Sequence, residues 1–219
     1  MVHIITSRNA HLYEQELESC YRLRHQVFVE ERGWNAIRRP DGREIDQFDT
    51  PSATHLAVIR DGKLAAYSRI LPTTEPHLLS DVYPWLVATG EIPRGPHIWE
   101  WTRLCVAPEF RWGNSLSDAG WEAILGIVEY SLANGIFLLT GEGHPIWITR
   151  FLELGFQVDP RGLPHHMDGE DVIAMLFKIS WSTLTRIREL RGTRASVLED
   201  RSGFIEAPAA EERTHHVFN

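Results

Sequence analysis

The sequence predicts a single α/β or α+β domain built on a mixed sheet. Three observations lead there. An apolar stripe at helical spacing opens the chain over residues 12–28. A hairpin pattern follows at 54–72, and short apolar strands then alternate with helices from about residue 97. At 219 residues the chain is long enough for one well-buried core and short for two. The alternation is not the regular one of a doubly wound fold, and no G-x-G-x-x-G occurs.

The first stripe places Leu12, Tyr13, Leu17, Cys20, Tyr21, Arg24, Val27 and Phe28 three and four residues apart, with Arg24 on the apolar face. "GWNAIRRPDGREIDQFDTPSA" then reads as a long irregular loop, of the kind that is usually functional or disordered. "THLAVIR", Asp61-Gly62 and "KLAAYSRILP" form the hairpin. "HIWEWTRLCV" at 97–106 is a central strand. Residues 116–132 form an amphipathic helix with Gly135 as its stop, and "IFLLT" a buried strand. A short helix runs between Pro145 and Gly155, "EDVIAMLFKIS" is a strand, and residues 181–191 form a last helix. The domain is taken as residues 1–192. Residues 193–219 are polar and expected to be loosely ordered.

Composition narrows the function. A formal charge of −8 argues against general nucleic-acid binding. Cys20 and Cys105 form no C-x-x-C and suit a reducing compartment. The first fifteen residues lack a secretion signal's pattern and no apolar run is long enough for a membrane span, so a cytoplasmic protein is expected. No metal is expected. Glu44-x-Asp46-x-x-Asp49 lacks the spacing of a calcium loop, and the histidine pairs 165–166 and 215–216 are adjacent residues that rarely share one ion. "GEGH" at 141–144 is too short for a phosphate loop.

Some charges resist a surface reading. Arg69 lies within "LAAYSRILP", and Glu100 and Arg103 lie within "HIWEWTRLCV". Strict alternation puts Glu100 and Arg103 on opposite faces of their strand. For both to serve one site, the strand must carry a bulge near them. Arg24, Arg69 and Arg103 match Asp46, Asp49 and Glu100 in number, the balance a buried ionic network needs. Taken alone, 44–49 reads equally as a solvated loop, and Glu44 is expected to face solvent.

The ordered set Arg24-His-Gln-Val27-Phe28, Trp34, Asp46-x-x-Asp49, Arg69-Ile-Leu-Pro-Thr73 and Trp99-Glu100-Trp-Thr-Arg103 resembles the LuxI-type acyl-homoserine-lactone synthases. The resemblance spans about residues 3–180. Thr102 and Leu104 stand where that family commonly has Ser and Phe, and "RWGNSL" only loosely matches the acetyltransferase phosphate loop. The resemblance implies the three-layer α-β-α fold of the GCN5-related (GNAT) N-acetyltransferases, with a mixed, splayed sheet. In it the sheet splays between the strands near 97–106 and 136–140, and an acyl-pantetheine arm enters the gap.

It also implies a reaction. The α-amine of S-adenosylmethionine (SAM) attacks an acyl thioester, and the carboxylate then closes a lactone and expels methylthioadenosine. SAM and the thioester, acyl-CoA or acyl-carrier protein, are substrates, with no resident cofactor. Catalytic candidates are Glu100 as base, with Arg103, Asp46 and Arg69. SAM-binding candidates are Arg24, Phe28, Trp34, Asp46, Asp49 and Arg103. Asp46 and Asp49 either hold the ammonium end or pair with Arg24 and Arg69. Trp101, Cys105, Leu139, Thr140, Trp147 and Phe151 are candidate walls for the acyl chain, although Cys105 reads equally as a packed thiol. "HLYE", "VEERGW" and "RPDGREID" lean towards the acyl-CoA branch, which makes branched or aryl products. Arg186, Arg188, Arg191 and Arg194 are a candidate docking patch for a carrier protein. A monomer is favoured. The competing readings are a related N-acyltransferase for another amine, which would not need Trp34, Asp46 and Asp49, and an inactive binding module.

Overall fold

A computed structural model of the chain describes residues 1–88, 90–113, 116–199 and 201. The sheet forms around the hairpin that the sequence marks. β2 (Thr54–Arg60) and β3 (Lys63–Pro72) pair antiparallel across Asp61-Gly62. β1 (Val2–Ile5) adds to the outer side of β2, and β4 (Ile98–Val106) to the inner side of β3. β1 is four residues long and all buried, too short to show a period, and the sequence reading passes over it.

Beyond β4 lie β5 (Leu138–Gly143), β8 (Glu170–Lys178) and β6 (Gln157–Pro160), with β7 (His165–Met167) also on β8. Among the described residues only β4–β5 and a short outer pairing, β1 with β9 (Leu198–Glu199), run parallel. Residues 198–199, which the sequence reading assigns to the polar tail, are thus part of the sheet. Val2 N–H also donates to Val197 O at 2.7 Å, which fixes the start of that pairing. Tail residues 200 and 202–219 lie outside the described residues.

Helices cover both faces. α3 (Asp118–Ala133) has buried residues on nearly every side, because it lies between the sheet and α5 (Trp181–Arg191). Ile124, Ile127 and Val128 of α3 join Val2, Ile4, Leu56, Val58, Leu184 and Ile187 in the main core. α3 starts two residues later than its sequence pattern, at the Ser117 cap that accepts from Gly120 N–H. Gly126 is required there: a Cβ would meet Val2 Cγ1 at 2.9 Å. On the opposite face α1 (Glu14–Arg24) packs Cys20 and Leu23 against Tyr67 and Cys105. The predicted single helix over 12–28 is two pieces. α1 ends at Arg24, and a π-helical segment, His25–Glu31, carries Val27, Phe28 and Val29 inward. Such widened turns recur at functional sites.

Two features of the sheet position the site. β4 and β5 pair only at Ile98 with Leu138, Trp99 with Leu139 and Glu100 with Thr140. Past that point β4 follows β3 and β5 follows β8, so the sheet splays as the resemblance implies. Opposite β3, the register steps from Tyr67 with Cys105 to Arg69 with Thr102, so that one residue, Ser68, faces two, Arg103 and Leu104. That is the bulge that the charge pattern requires. Arg103 sits in it at φ +59°, a conformation costly for a residue with a Cβ.

Candidate active site

The irregular loop closes over the end of α1 and the bulge through a buried ionic network. Arg24 Nε donates to Glu44 Oε2 at 2.6 Å, and its two Nη atoms hold both oxygens of Asp49 at 2.7 and 2.9 Å. Arg69 holds Asp46 the same way at 2.7 and 2.9 Å, and its Nε donates to Thr102 Oγ1 at 3.1 Å. Arg103 reaches Glu44 from Nε at 3.0 Å and Asp46 from Nη2 at 2.9 Å. Three guanidiniums therefore meet three carboxylates. Two backbone donors lock the loop: Asp46 N–H to Asp49, and Phe48 N–H to Asp46, each at 2.8 Å.

Glu44 overturns one expectation. It is fully buried, and it takes the place in the network that the sequence reading gives to Glu100. Its backbone N–H donates to Tyr21 O at 3.0 Å, which turns the side chain inward. Burial alone would raise the Glu44 and Asp46 carboxyls. The guanidiniums outweigh it and hold both, and Asp49 most of all, below the usual carboxylate range.

Beside the network lies a cavity of about 270 Å³. Phe28, Trp34, Arg32 and Arg103 line one part of it, and Trp101, Trp147, Phe151, Met175 and Phe177 another. Phe28 and Trp34 stack at 5.0 Å with 20° between the rings, and the Arg103 guanidinium lies 5.6 and 5.8 Å from their centres. On α4 (Ile146–Glu153) Trp147 stacks on Phe151, which contacts Trp101 and Phe177 edge-on or tilted. Gly141 stands where β5 leaves β4, so close that a Cβ would meet Trp101 O at 3.0 Å.

The candidate residues divide between this cavity and its supports. Phe28, Trp34, Trp101, Arg103, Trp147 and Phe151 line it. Arg24, Asp46, Asp49 and Arg69 lie outside the lining, and their polar atoms are engaged with one another. Three of the expected acyl walls are elsewhere. Cys105 packs in the α1-side core with its thiol pushed up to about 12 by burial, which leaves it inert. Leu139 belongs to the main core, and Thr140 sits where β4 and β5 still pair, before any gap opens.

Glu100 is also behind the wall. Its carboxylate is fully buried and accepts from Leu78 N–H at 2.8 Å and Leu79 N–H at 2.6 Å, at the start of α2 (Leu78–Asp81). Among the acids that do line the cavity is Glu142, a residue the sequence reading passes over inside "GEGH". It interacts directly with Glu100, and its Oε1 is closed to solvent with no hydrogen-bond partner among the described residues. Burial, then the Glu100 charge, pushes the Glu142 carboxyl well up. An acidic residue in a strand beside a predicted splay was the available signal. The splay itself shows only when β4 and β5 are seen side by side. No group of three or more metal-ligating side chains occurs among the described residues.

Comparison with known proteins gives a consistent picture. The autoinducer synthase family profile matches residues 8–140. An isovaleryl-homoserine lactone synthase of Bradyrhizobium diazoefficiens is 36% identical over 200 residues, 91% of this chain and 90% of that protein. The structure of BjaI, a CoA-dependent acyl-homoserine lactone synthase solved with SAM and isopentyl-CoA, superposes with a TM-score of 0.85 at 33% identity. That match covers 96% of this chain and 95% of the other. An acyl-CoA N-acyltransferase of Pseudomonas aeruginosa shares the fold at 20% identity and a TM-score of 0.54, covering 80% of this chain and 97% of that one.

Proposed function

From the premise that this chain belongs to the autoinducer synthase family and is an acyl-homoserine-lactone synthase, an acyltransferase, we propose how its residues divide the reaction and which donor it takes. The observation that carries the reading is one continuous cavity. A cation-binding aromatic pair and an arginine stand at one part of it, aromatic walls at another, and the splay between β4 and β5 lies beside it.

SAM occupies the Phe28–Trp34–Arg103 part. The stacked rings offer π-faces to the adenine or the sulfonium, and Arg103 takes the carboxylate. Arg24, Asp46, Asp49, Arg69 and Glu44 act from behind. They hold Arg103 and the loop in place and spend their hydrogen bonds on one another. The acyl chain lies against Trp101, Trp147 and Phe151, with the thioester near the splay. A free α-amine titrates near ~8, so a sizeable neutral fraction is present and attacks the thioester carbonyl. The N–C bond forms, the C–S bond breaks, and free thiol leaves. The SAM carboxylate then attacks its own γ-carbon, and methylthioadenosine leaves with the C–S electron pair. For that step the site mainly has to hold the chain folded in near-attack geometry.

The donor is an acyl-CoA, of the kind used by BjaI. Two of the four arginines of the expected carrier-protein patch are neutralised: Arg188 pairs with Glu129 at 2.7 Å, and Arg191 pairs with Asp118. Both small molecules are consumed, so no resident cofactor is needed. Among the described residues no helix is long and apolar enough to cross a membrane, and CoA and SAM are cytoplasmic metabolites, so the reaction belongs in the cytoplasm.

The test is incubation with SAM and a panel of acyl-CoAs, followed by chromatography for methylthioadenosine and acyl-homoserine lactone together. Acylated product without methylthioadenosine would mean a different amine acceptor. Turnover with acyl-carrier protein but no CoA donor would overturn the donor assignment.

A further inference from the structure

Glu100, the expected base, has no route to the substrate amine of its own. It does not line the cavity, and both its oxygens are taken by the N–H groups of Leu78 and Leu79. We propose that Glu142 is the general base of the acylation step, receiving the amine proton and passing it to the leaving sulfur, with Glu100 as the positioning residue behind it. The inference rests on the acylation reading above and names the proton carrier for that site.

Three observations support it. Glu142 lines the cavity immediately after Gly141, the residue at which β5 parts from β4 and where the thioester is expected. Its Oε1 is closed to solvent and its carboxyl lies against that of Glu100, so the two acids form a pair whose repulsion a proton relieves. The other acids of the lining are differently placed: Asp168 is exposed, and Glu170 is half-buried and faces Arg32 at 3.5 Å.

The surroundings hold the Glu142 proton more tightly than an ordinary carboxylate does. The charged and titratable groups around Glu142 are Glu100 and Arg103 from β4, Tyr83 from the segment after α2, and His144 after β5. The hairpin between β7 and β8 adds Asp168 and Glu170, and the end of the π-helical segment adds Arg32. Two backbone donors favour the charged form of Glu100. Burial raises Glu100 as well, but those donors oppose the rise, so of the two adjacent carboxyls Glu100 charges first and the other titrates late, as in paired-carboxylate sites. Glu142 is the second: burial and the Glu100 charge raise it, while Arg103 tempers the rise.

The step balances. The neutral amine attacks the thioester carbon, and the Glu142 carboxylate takes a proton from the nitrogen as the N–C bond forms. When the C–S bond breaks, the same proton goes to the CoA sulfur, and Glu142 returns to carboxylate with nothing consumed.

The experiment compares wild type, Glu142→Gln and Glu100→Gln. It measures the pH dependence of kcat/KM by thiol release, methylthioadenosine formation, SAM affinity by calorimetry, and folding by circular dichroism. Wild type should lose activity on the acid side at a pH above the ordinary carboxylate range. Glu142→Gln should lower kcat by roughly 100-fold or more, the usual worth of a general base, and remove that acid limb while SAM affinity stays within about twofold. Glu100→Gln should keep the limb but move it to lower pH, because the charge that holds Glu142 protonated is gone. A folded Glu142→Gln within about threefold of wild type, or an unchanged acid limb, overturns the inference while leaving the synthase reading intact. If Glu142→Gln does not fold, an unshifted limb in Glu100→Gln overturns it instead. No thiol release by wild type with SAM and any acyl-CoA overturns the synthase reading and this inference with it.

Discussion

Glu44 is the residue whose removal should say most about the site. It is fully buried and accepts from Arg24 Nε at 2.6 Å and from Arg103 at 3.0 and 3.3 Å. Glu44→Gln keeps the shape, removes one negative charge, and leaves three guanidiniums facing two carboxylates. Charge-assisted hydrogen bonds contribute about 1.5–3 kcal/mol each, and removing one partner of a buried ion pair costs about 3–5 kcal/mol. Arg103 keeps Asp46 and slight solvent contact, so the lower end, about 3 kcal/mol, is expected. For a chain of this size that is a fall in Tm of about 6–12 °C. The control is Glu18→Gln on α1, which breaks an exposed pair with Arg22 and should change stability by no more than about 0.5 kcal/mol. Denaturant and thermal unfolding followed by circular dichroism measure both. KM for SAM should also rise in Glu44→Gln, because Arg103 loses a tether. If Glu44→Gln loses less than about 1 kcal/mol, or matches Glu18→Gln, the network is not a cooperative buried unit and the argument fails.

Other outcomes follow from the same geometry. Removing either ring of the stacked pair, Phe28→Ala or Trp34→Ala, should raise KM for SAM by about tenfold, matching a cation–π contact of roughly 1–2 kcal/mol; unchanged KM in steady-state assays would remove the pair from the SAM site. Trp147→Ala should shift preference to longer acyl chains, by up to about fourfold in kcat/KM for each methylene newly buried; an acyl-CoA series that keeps its wild-type order would place the chain elsewhere. Glu44, Asp46 and Asp49 are held below their unfolded values, so their stabilisation is present above about pH 4 and lost as pH falls through the folded values. Tm measured against pH should therefore fall steeply below about pH 4, and less steeply in Glu44→Gln. Glu142 is the opposite case: its folded value is raised, so stability is lost as pH rises towards that value. Glu142→Gln should accordingly be more stable than wild type at pH 8 and gain nothing at pH 4.

The sequence by itself determined the larger elements and the balance of charge. Apolar patterning marks α1, the hairpin and α3, because a period ties the side chains of an element to one face or the other. The ordered charged and aromatic residues from Arg24 to Arg103 marked the chemistry, and the count of arginines against acids foretold an ionic network. The tertiary structure decided which acid completes it. The loop over 33–53 has no period, so nothing local says whether Glu44 points out or in. Only the approach of the α1 end and the β4 bulge supplies the two guanidiniums that hold it. The same holds for Glu100 and Glu142. In sequence one is flanked by tryptophans and the other by glycines, and the first looks like the reactive group. Their roles depend on where two parallel strands stop pairing and which backbone N–H groups then fall within reach. Those contacts join segments far apart in the chain, and local pattern carries no record of them.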